Sequence, residues 1–338
     1  MKKLLLATTM LVTAGTYAAA DVSVSGDARM GITSYDSDAQ FSSRVRIKFS
    51  GSGTTDGGLA FGGSIRADNA GGGADGTSGS VFISGAFGKI SMGDVDSGDN
   101  AAVGQLSSVG YEGLGSGNSI AYAADGGTIG FGDNDIDAGG ATKARVLYTY
   151  SAGAVTANAS IGQIDNTDES DDGVSAGDYV GSSTYGVGVS YNTGAITVAV
   201  GYGSVTADVA LEDRSVSLTD TSASVTFVAG DTTLKAIYQD KQGEDGDDEL
   251  EEQSMGASVD HKLGAVTLTA YGLTSEFSAN YTTDTASLNR YGLGVAYDLG
   301  GGAVIKAGVA QLDKISDDVS GTETVSYNAF DAGVNFSF

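Results

Sequence analysis

Along this chain apolar and polar residues trade places one by one, stretch after stretch. That period of two restricts the fold more than any other feature. Val22, Val24, Ala28, Met30 and Ile32 alternate with Ser23, Ser25, Asp27, Arg29 and Thr33. Near the other end, Phe330, Ala332, Val334, Phe336 and Phe338 alternate with Asp331, Gly333, Asn335 and Ser337. Such alternation places successive side chains on opposite faces of an extended strand. Between these ends one short unit recurs: a strand end, a tight glycine turn, then a new strand. YSAGAVTANA (150–159), YNTGAITVAV (191–200), FVAGDTTLKA (227–236), HKLGAVTLTA (261–270) and YDLGGGAVIKA (297–307) carry it, with SGAFGKISM (84–92) and SGTTDGG (52–58) as variants. Glycine permits the positive φ that tight hairpins need. Between the turns lie polar, acidic stretches: 69–79, 165–178, 241–252, 275–285 and 313–323. Short turns at one end and long loops at the other predict about sixteen antiparallel strands of about ten residues each.

Lys2 and Lys3 precede an apolar stretch from Leu4 to Val12, and Ala18-Ala19-Ala20 follows. This is the pattern of a cleaved export signal over 1–20, leaving 21–338 as one domain. The apolar stretch is too short to span a bilayer, and the remainder holds no run of 18 apolar residues. An exported membrane protein without spanning helices must be a closed barrel. A soluble β-sandwich also alternates, but it does not keep one turn unit on one edge throughout. With 43 acidic against 17 basic residues, a net charge of −26, the surface repels nucleic acid. Cysteine is absent, so no disulfide framework supports the fold.

The densest basic patch is SSRVRIKFS (42–50), where Arg44, Arg46 and Lys48 alternate with Val45, Ile47 and Phe49. A cation at the midplane of a barrel's lipid face costs about 2–4 kcal/mol. Three together would consume much of a protein's net stability. The apolar set therefore faces lipid and the cations face the lumen. The same parity puts Asp27, Arg29, Arg66 and Asp68 inside. One connection, about 94–143, is far too long for an ordinary loop and is rich in carboxylates: Asp94, Asp96, Asp99, Glu112, Asp125, Asp133, Asp135 and Asp137. The lumen of a roomy barrel is the place for it.

SGDARMGI (25–32), SGTTDGGLAFG (52–62), GSVFISGAFGKISMGD (79–94), VLYTYSAGA (146–154) and YGLGVAYDLGGGA (291–303) resemble general porins of alphaproteobacteria, the Rhodobacter type. The resemblance covers the chain beyond the export signal. It implies an all-β, sixteen-stranded, up-and-down transmembrane barrel in the outer membrane of a Gram-negative bacterium, assembled as a homotrimer. The third loop would fold inward as a constriction, through which ions and small hydrophilic solutes diffuse passively. Arg29, Arg44, Arg46, Lys48 and Arg66 would form a basic wall facing the acidic loop. The pattern ending in Phe336 and Phe338 resembles the signal read by the barrel-insertion machinery. Weak cation selectivity is expected from the acidic excess.

Two readings stay open for DVDSGDN (94–100): a structural calcium ion held by Asp94, Asp96 and Asp99, or solvated loop charge. No other cofactor is expected. Outer acidic loops could bridge to lipopolysaccharide phosphates. Tyr148, Tyr150, Tyr191, Tyr202, Tyr238, Tyr271, Tyr291 and Tyr297 suit aromatic girdles at the lipid interfaces. Catalysis finds little footing, because the single histidine, His261, sits beside a short turn. The alternatives are a substrate-specific channel, which would need a ladder of lumen side chains, and a secreted calcium-binding β-protein, for which GGGADG (71–76) is an isolated near-match.

Overall fold

In the computed structural model, residues 21–36, 39–70, 73–76, 79–126, 129–131, 134–136, 144–163, 179–209, 215–282, 285–315 and 324–338 are described. The export signal expected over 1–20 lies outside them, as do Asp133 and Asp137. Of Asp135 the backbone alone is described.

The alternating stretches become antiparallel strands: β1 (Asp21–Tyr35), β2 (Gln40–Thr54), β3 (Ala60–Ala70), β4 (Gly73–Gly76), β5 (Ser80–Gly85) and β6 (Gly88–Gly93). Within the long connection come α1 (Gly98–Val103), two 3₁₀ turns (Leu114–Ser116 and Ala123–Asp125) and the two-stranded hairpin β7 (Ile129–Phe131) and β8 (Asn134–Ile136). The wall resumes with β9 (Ala144–Ala152), β10 (Val155–Gln163), β11 (Tyr179–Asn192), β12 (Ile196–Val209), β13 (Ser215–Ala229) and β14 (Thr232–Asp245). It ends with β15 (Asp248–Leu263), β16 (Val266–Ala279), β17 (Thr285–Gly300), β18 (Ala303–Ile315) and β19 (Thr324–Ser337).

Each wall strand pairs with its chain neighbour, and β6 pairs with β9 across the long connection. β4 and β5 both pair with β3, with Ala67 opposite Gly76 and Ser64 opposite Ser80, so they are two halves of one interrupted strand. β1 pairs with β19, Asp27 opposite Ser337, which closes the sheet into a sixteen-stranded barrel without a free edge. At the seam Gly26 N–H donates to Phe338 O at 2.7 Å and Phe338 N–H donates to Gly26 O at 2.9 Å. The seven short turns fall at the predicted places.

The outer face carries the apolar half of the alternation. Val45, Phe49, Val187, Val200, Leu293 and Val309 are all exposed there, as a lipid-facing band requires. Seven of the eight named tyrosines are exposed on it as well. Tyr271 is the exception: it is buried in the lumen, folded over Gly292.

The stretch 241–252 departs from expectation. It is not a loop: β14 runs to Asp245, two residues turn, and β15 starts at Asp248. From β11 to β19 the strands span 13–16 residues, longer than predicted, because the hairpins continue past the apolar band. Beyond lipid both strand faces can be polar, so acidic composition does not end a strand there.

Candidate functional site

The long connection is pressed against the inner wall at two seats made of glycine. On β11 and β12, Gly186, Gly188, Gly201 and Gly203 leave a bare floor under α1. A Cβ at Gly188 would lie 2.5 Å from Ala102 Cβ, and one at Gly203 would lie 2.5 Å from Asp99 Oδ2 and 2.6 Å from Asp220 Oδ1. The second seat lies on β17–β19 under Val109–Tyr111. A Cβ at Gly294 would approach Val109 Cβ at 2.9 Å, one at Gly308 would approach Gly110 Cα at 2.6 Å, and one at Gly333 would approach Tyr111 Cδ2 at 2.8 Å. These are closer than real Cβ atoms approach, so the seats exist because side chains are missing.

Hydrogen bonds from wall side chains hold the loop backbone down. Gly98 N–H donates to Ser160 Oγ at 2.9 Å, and Ala123 N–H to Asp220 at 2.8 Å. Lys235 Nζ and Ser224 Oγ both donate to Val103 O at the end of α1, at 2.6 and 3.1 Å. Ser107 N–H donates to Ser258 Oγ, and Ser107 Oγ to Asp260. Arg290 donates to Ser119 O and Gln239 to Ala121 O. Partners on β10, β13, β14, β15 and β17, all on the face opposite the lipid band, place the loop inside the barrel. Apolar contacts fill the space between: Ala123 and Ile129 pack with Val205, Val216, Leu218 and Leu250, and Val109 and Leu114 pack with Tyr271 and Leu312. The described part of the loop thus packs against the lumen face of β10–β19.

The predicted basic residues line the wall on β1–β3, in register with one another. Arg29 lies opposite Arg44, Asp27 opposite Arg46, and Arg46 opposite Asp68. Of the loop carboxylates expected to face them, Glu112 alone pairs with this wall among the described residues; the other partners are Asp27 and Asp68, carried by the wall strands themselves. Arg44 pairs with Asp27 at 3.1 Å, and Asp68 is shared by Arg46 at 3.0 Å and Arg66 at 2.6 Å. From the loop, Glu112 reaches the wall, bonded to Arg29 at 3.0 Å and accepting from Ser42 Oγ at 2.7 Å. Lys48 lies opposite Arg66 in the ladder and is exposed.

A chain whose family model, the Gram-negative porin, matches residues 7–330 leaves little room for another reading of this barrel. The chain belongs to the Gram-negative porins. A porin of Rhodobacter capsulatus is 36% identical, over 94% of this chain and all of that one. A solved porin structure is 31% identical with a TM-score of 0.70, covering 94% of this chain and all of the other. OmpT of Vibrio cholerae, solved in a trimer form, shares the fold with a TM-score of 0.71 at 17% identity, covering 95% of this chain and all of that one. As a porin the chain forms an outer-membrane channel, which sets aside the secreted calcium-binding reading.

The porin's loop carboxylates take different places. Asp94 and Asp96 are exposed, Asp125 pairs with Arg145 at 2.8 Å, and Glu112 is bound to Arg29. Asp99 does not face pore water. It is fully buried on the β11–β12 seat beside Asp220, where burial, then the Asp220 charge, pushes its carboxyl up to about 7. Because Asp99 turns into the wall while Asp94 and Asp96 stay exposed, these three do not gather around a cation. Among the described residues no three carboxylate or histidine side chains do.

Asp220, Asp331, Arg145, Lys235 and Arg290, which hold the loop, were not singled out in the sequence. The one available signal is a charged residue on the lumen parity of a strand whose neighbours carry glycine. His261 accepts or donates with Thr232 Oγ1 at 2.8 Å beside a short turn, away from the loop.

Proposed function

We propose that this porin carries ions and small hydrophilic solutes by passive diffusion, with weak cation selectivity, as a homotrimer. The observation that carries the reading is the pairing along the wall: Arg29, Arg44, Arg46 and Arg66 on β1–β3 are met by Asp27, Asp68 and Glu112, while Lys48 stays exposed. Paired charges keep the path wet and orient water, while much of their field cancels. Against the two positive charges left unmatched on that wall stands the acidic excess of the whole chain, and that favours cations. Passive diffusion rather than a specific binding track follows from the basic residues forming one local cluster on three neighbouring strands. The trimer is supported by the family and by the trimer form described for OmpT. Phe336 and Phe338 are proposed as the assembly signal read by the insertion machinery, and the lipopolysaccharide contact as one made by the outer acidic hairpins.

The test is single-channel conductance and reversal potential in a planar bilayer under a potassium chloride gradient, with liposome swelling for a size series of neutral sugars. A smooth fall of rate with sugar size and a reversal potential of the cation-selective sign are expected. Saturation by one sugar would point to a specific channel, and an anion-selective sign would overturn the selectivity.

A further inference from the structure

Asp331 stands on the inner face of β19 and is 2% exposed. Its Oδ2 accepts from two consecutive loop amides, Tyr111 N–H at 2.9 Å and Glu112 N–H at 3.0 Å. The residue before them, Gly110, has φ +82°, and a Cβ there would collide with the Asp331 carboxylate. Both the backbone shape and the missing side chain are therefore needed for the carboxylate to reach the two amides. A carboxylate accepting from adjacent N–H groups is a strong, directional anchor.

The dipeptide so anchored is aimed at the basic wall. The Tyr111 ring lies against Gly333, its hydroxyl donates to Ser42 O at 3.2 Å, and the Arg29 guanidinium sits 5.5 Å from its ring centre. Asn335 donates to Tyr111 O at 3.3 Å. From the amide so fixed, the Glu112 carboxylate lands on Arg29 and Ser42.

We propose that Asp331 is a positioning residue for the pore's charge balance: by fixing the Tyr111–Glu112 amides it delivers the Glu112 carboxylate to Arg29. Without it, Glu112 moves off the wall and Arg29 is left as an uncompensated cation beside the ion path. The inference rests on the lumen being the ion path, so its test includes a readout that does not use current.

The experiment compares wild type, Glu112→Gln, Asp331→Ala, Asp331→Asn and Glu112→Gln combined with each Asp331 variant. Reversal potential is read in a potassium chloride gradient. Hydrogen exchange is read at the Tyr111 and Glu112 amides of the assembled protein. Glu112→Gln lowers the cation-to-anion permeability ratio by about twofold, the scale of one charge in a screened aqueous pore. Asp331→Ala moves the ratio the same way, and the combined variants move it no further than Glu112→Gln alone. Asp331→Asn keeps one acceptor oxygen and gives a smaller shift; if Asp331→Ala fails to assemble, it carries the test. Both amides exchange faster in the Asp331 variants. A full Asp331 effect persisting in the Glu112→Gln background would mean that its charge acts directly on ions, overturning the positioning role. Unchanged amide exchange would overturn it as well, whatever the channel conducts.

Discussion

Lys241 Nζ lies 2.8 Å from Glu252 Oε2 across the β14–β15 ladder, and the lysine side chain is wholly buried. Glu252 also accepts from Ser254 Oγ at 2.9 Å, so the carboxylate is well satisfied. Removing one partner of such a pair strands the other charge, at a cost of about 3–5 kcal/mol. Lys241→Met is expected to lower the unfolding temperature of the detergent-solubilised protein markedly. Lys241→Met with Glu252→Leu is expected to recover most of the loss. A double variant as unstable as the single one would show that packing, rather than charge, sets the effect.

The β11–β12 seat predicts a sharp contrast between two glycines. A methyl at Gly203 meets two carboxylates, whereas one at Gly51 meets nothing within 4 Å. Overpacking costs about 1–3 kcal/mol. Gly203→Ala should therefore loosen α1 and speed proteolysis of the loop, with Gly51→Ala behaving as wild type. Equal resistance in both variants would refute the seat.

Asp99 makes the loop's attachment depend on pH. Its carboxyl is raised from 3.8 to about 7, by burial first and by Asp220 second, with Asp125 adding to the rise and Ser97 opposing it. The folded state thus keeps a proton that the unfolded chain loses, so stability is highest below about 4 and declines as pH rises toward 7. Above that value Asp99 carries a buried charge beside Asp220. Corrected for the intrinsic rise of exchange with pH, protection of the Gly98–Val103 amides is expected to fall between about pH 4 and 7, and Asp99→Asn is expected to flatten the profile. A slope that survives Asp99→Asn would assign the titration elsewhere.

Neutralising the wall cations tests the selectivity directly. Arg44→Gln with Arg46→Gln frees Asp27 from Arg44 and leaves Asp68 with Arg66 alone. Cation preference should rise and conductance should change. An unchanged reversal potential would place Arg44 and Arg46 outside the narrow water.

Much of the barrel was legible because one physical constraint acts on every strand. The lipid face must be apolar, so the parity of Val45 and Phe49 already placed Arg44 and Arg46 in the lumen. The acidic hairpin at 241–252 escaped the same reasoning, since beyond lipid that constraint lapses and only β-pairing remains. The site was half legible. The basic residues announced themselves by alternation, but the pairing of Arg44 with Asp27 and of Arg46 with Asp68 depends on strand register, which period-two patterning does not reveal. The acidity of its loop makes Asp99 look like a pore carboxylate, yet its place is decided by glycines some ninety to a hundred residues later. A floor made of missing side chains leaves almost no trace in a local pattern.

The glycine seats let the size of the hole and the girth of the wall vary independently. A sixteen-stranded cylinder fixes how the molecule meets its bilayer, while a few residues of inner relief decide how deeply the folded-in segment sits. Substitutions on that relief could narrow or widen the passage while every lipid contact stays as it is. The same cylinder could thus serve different diets by recarving one interior surface.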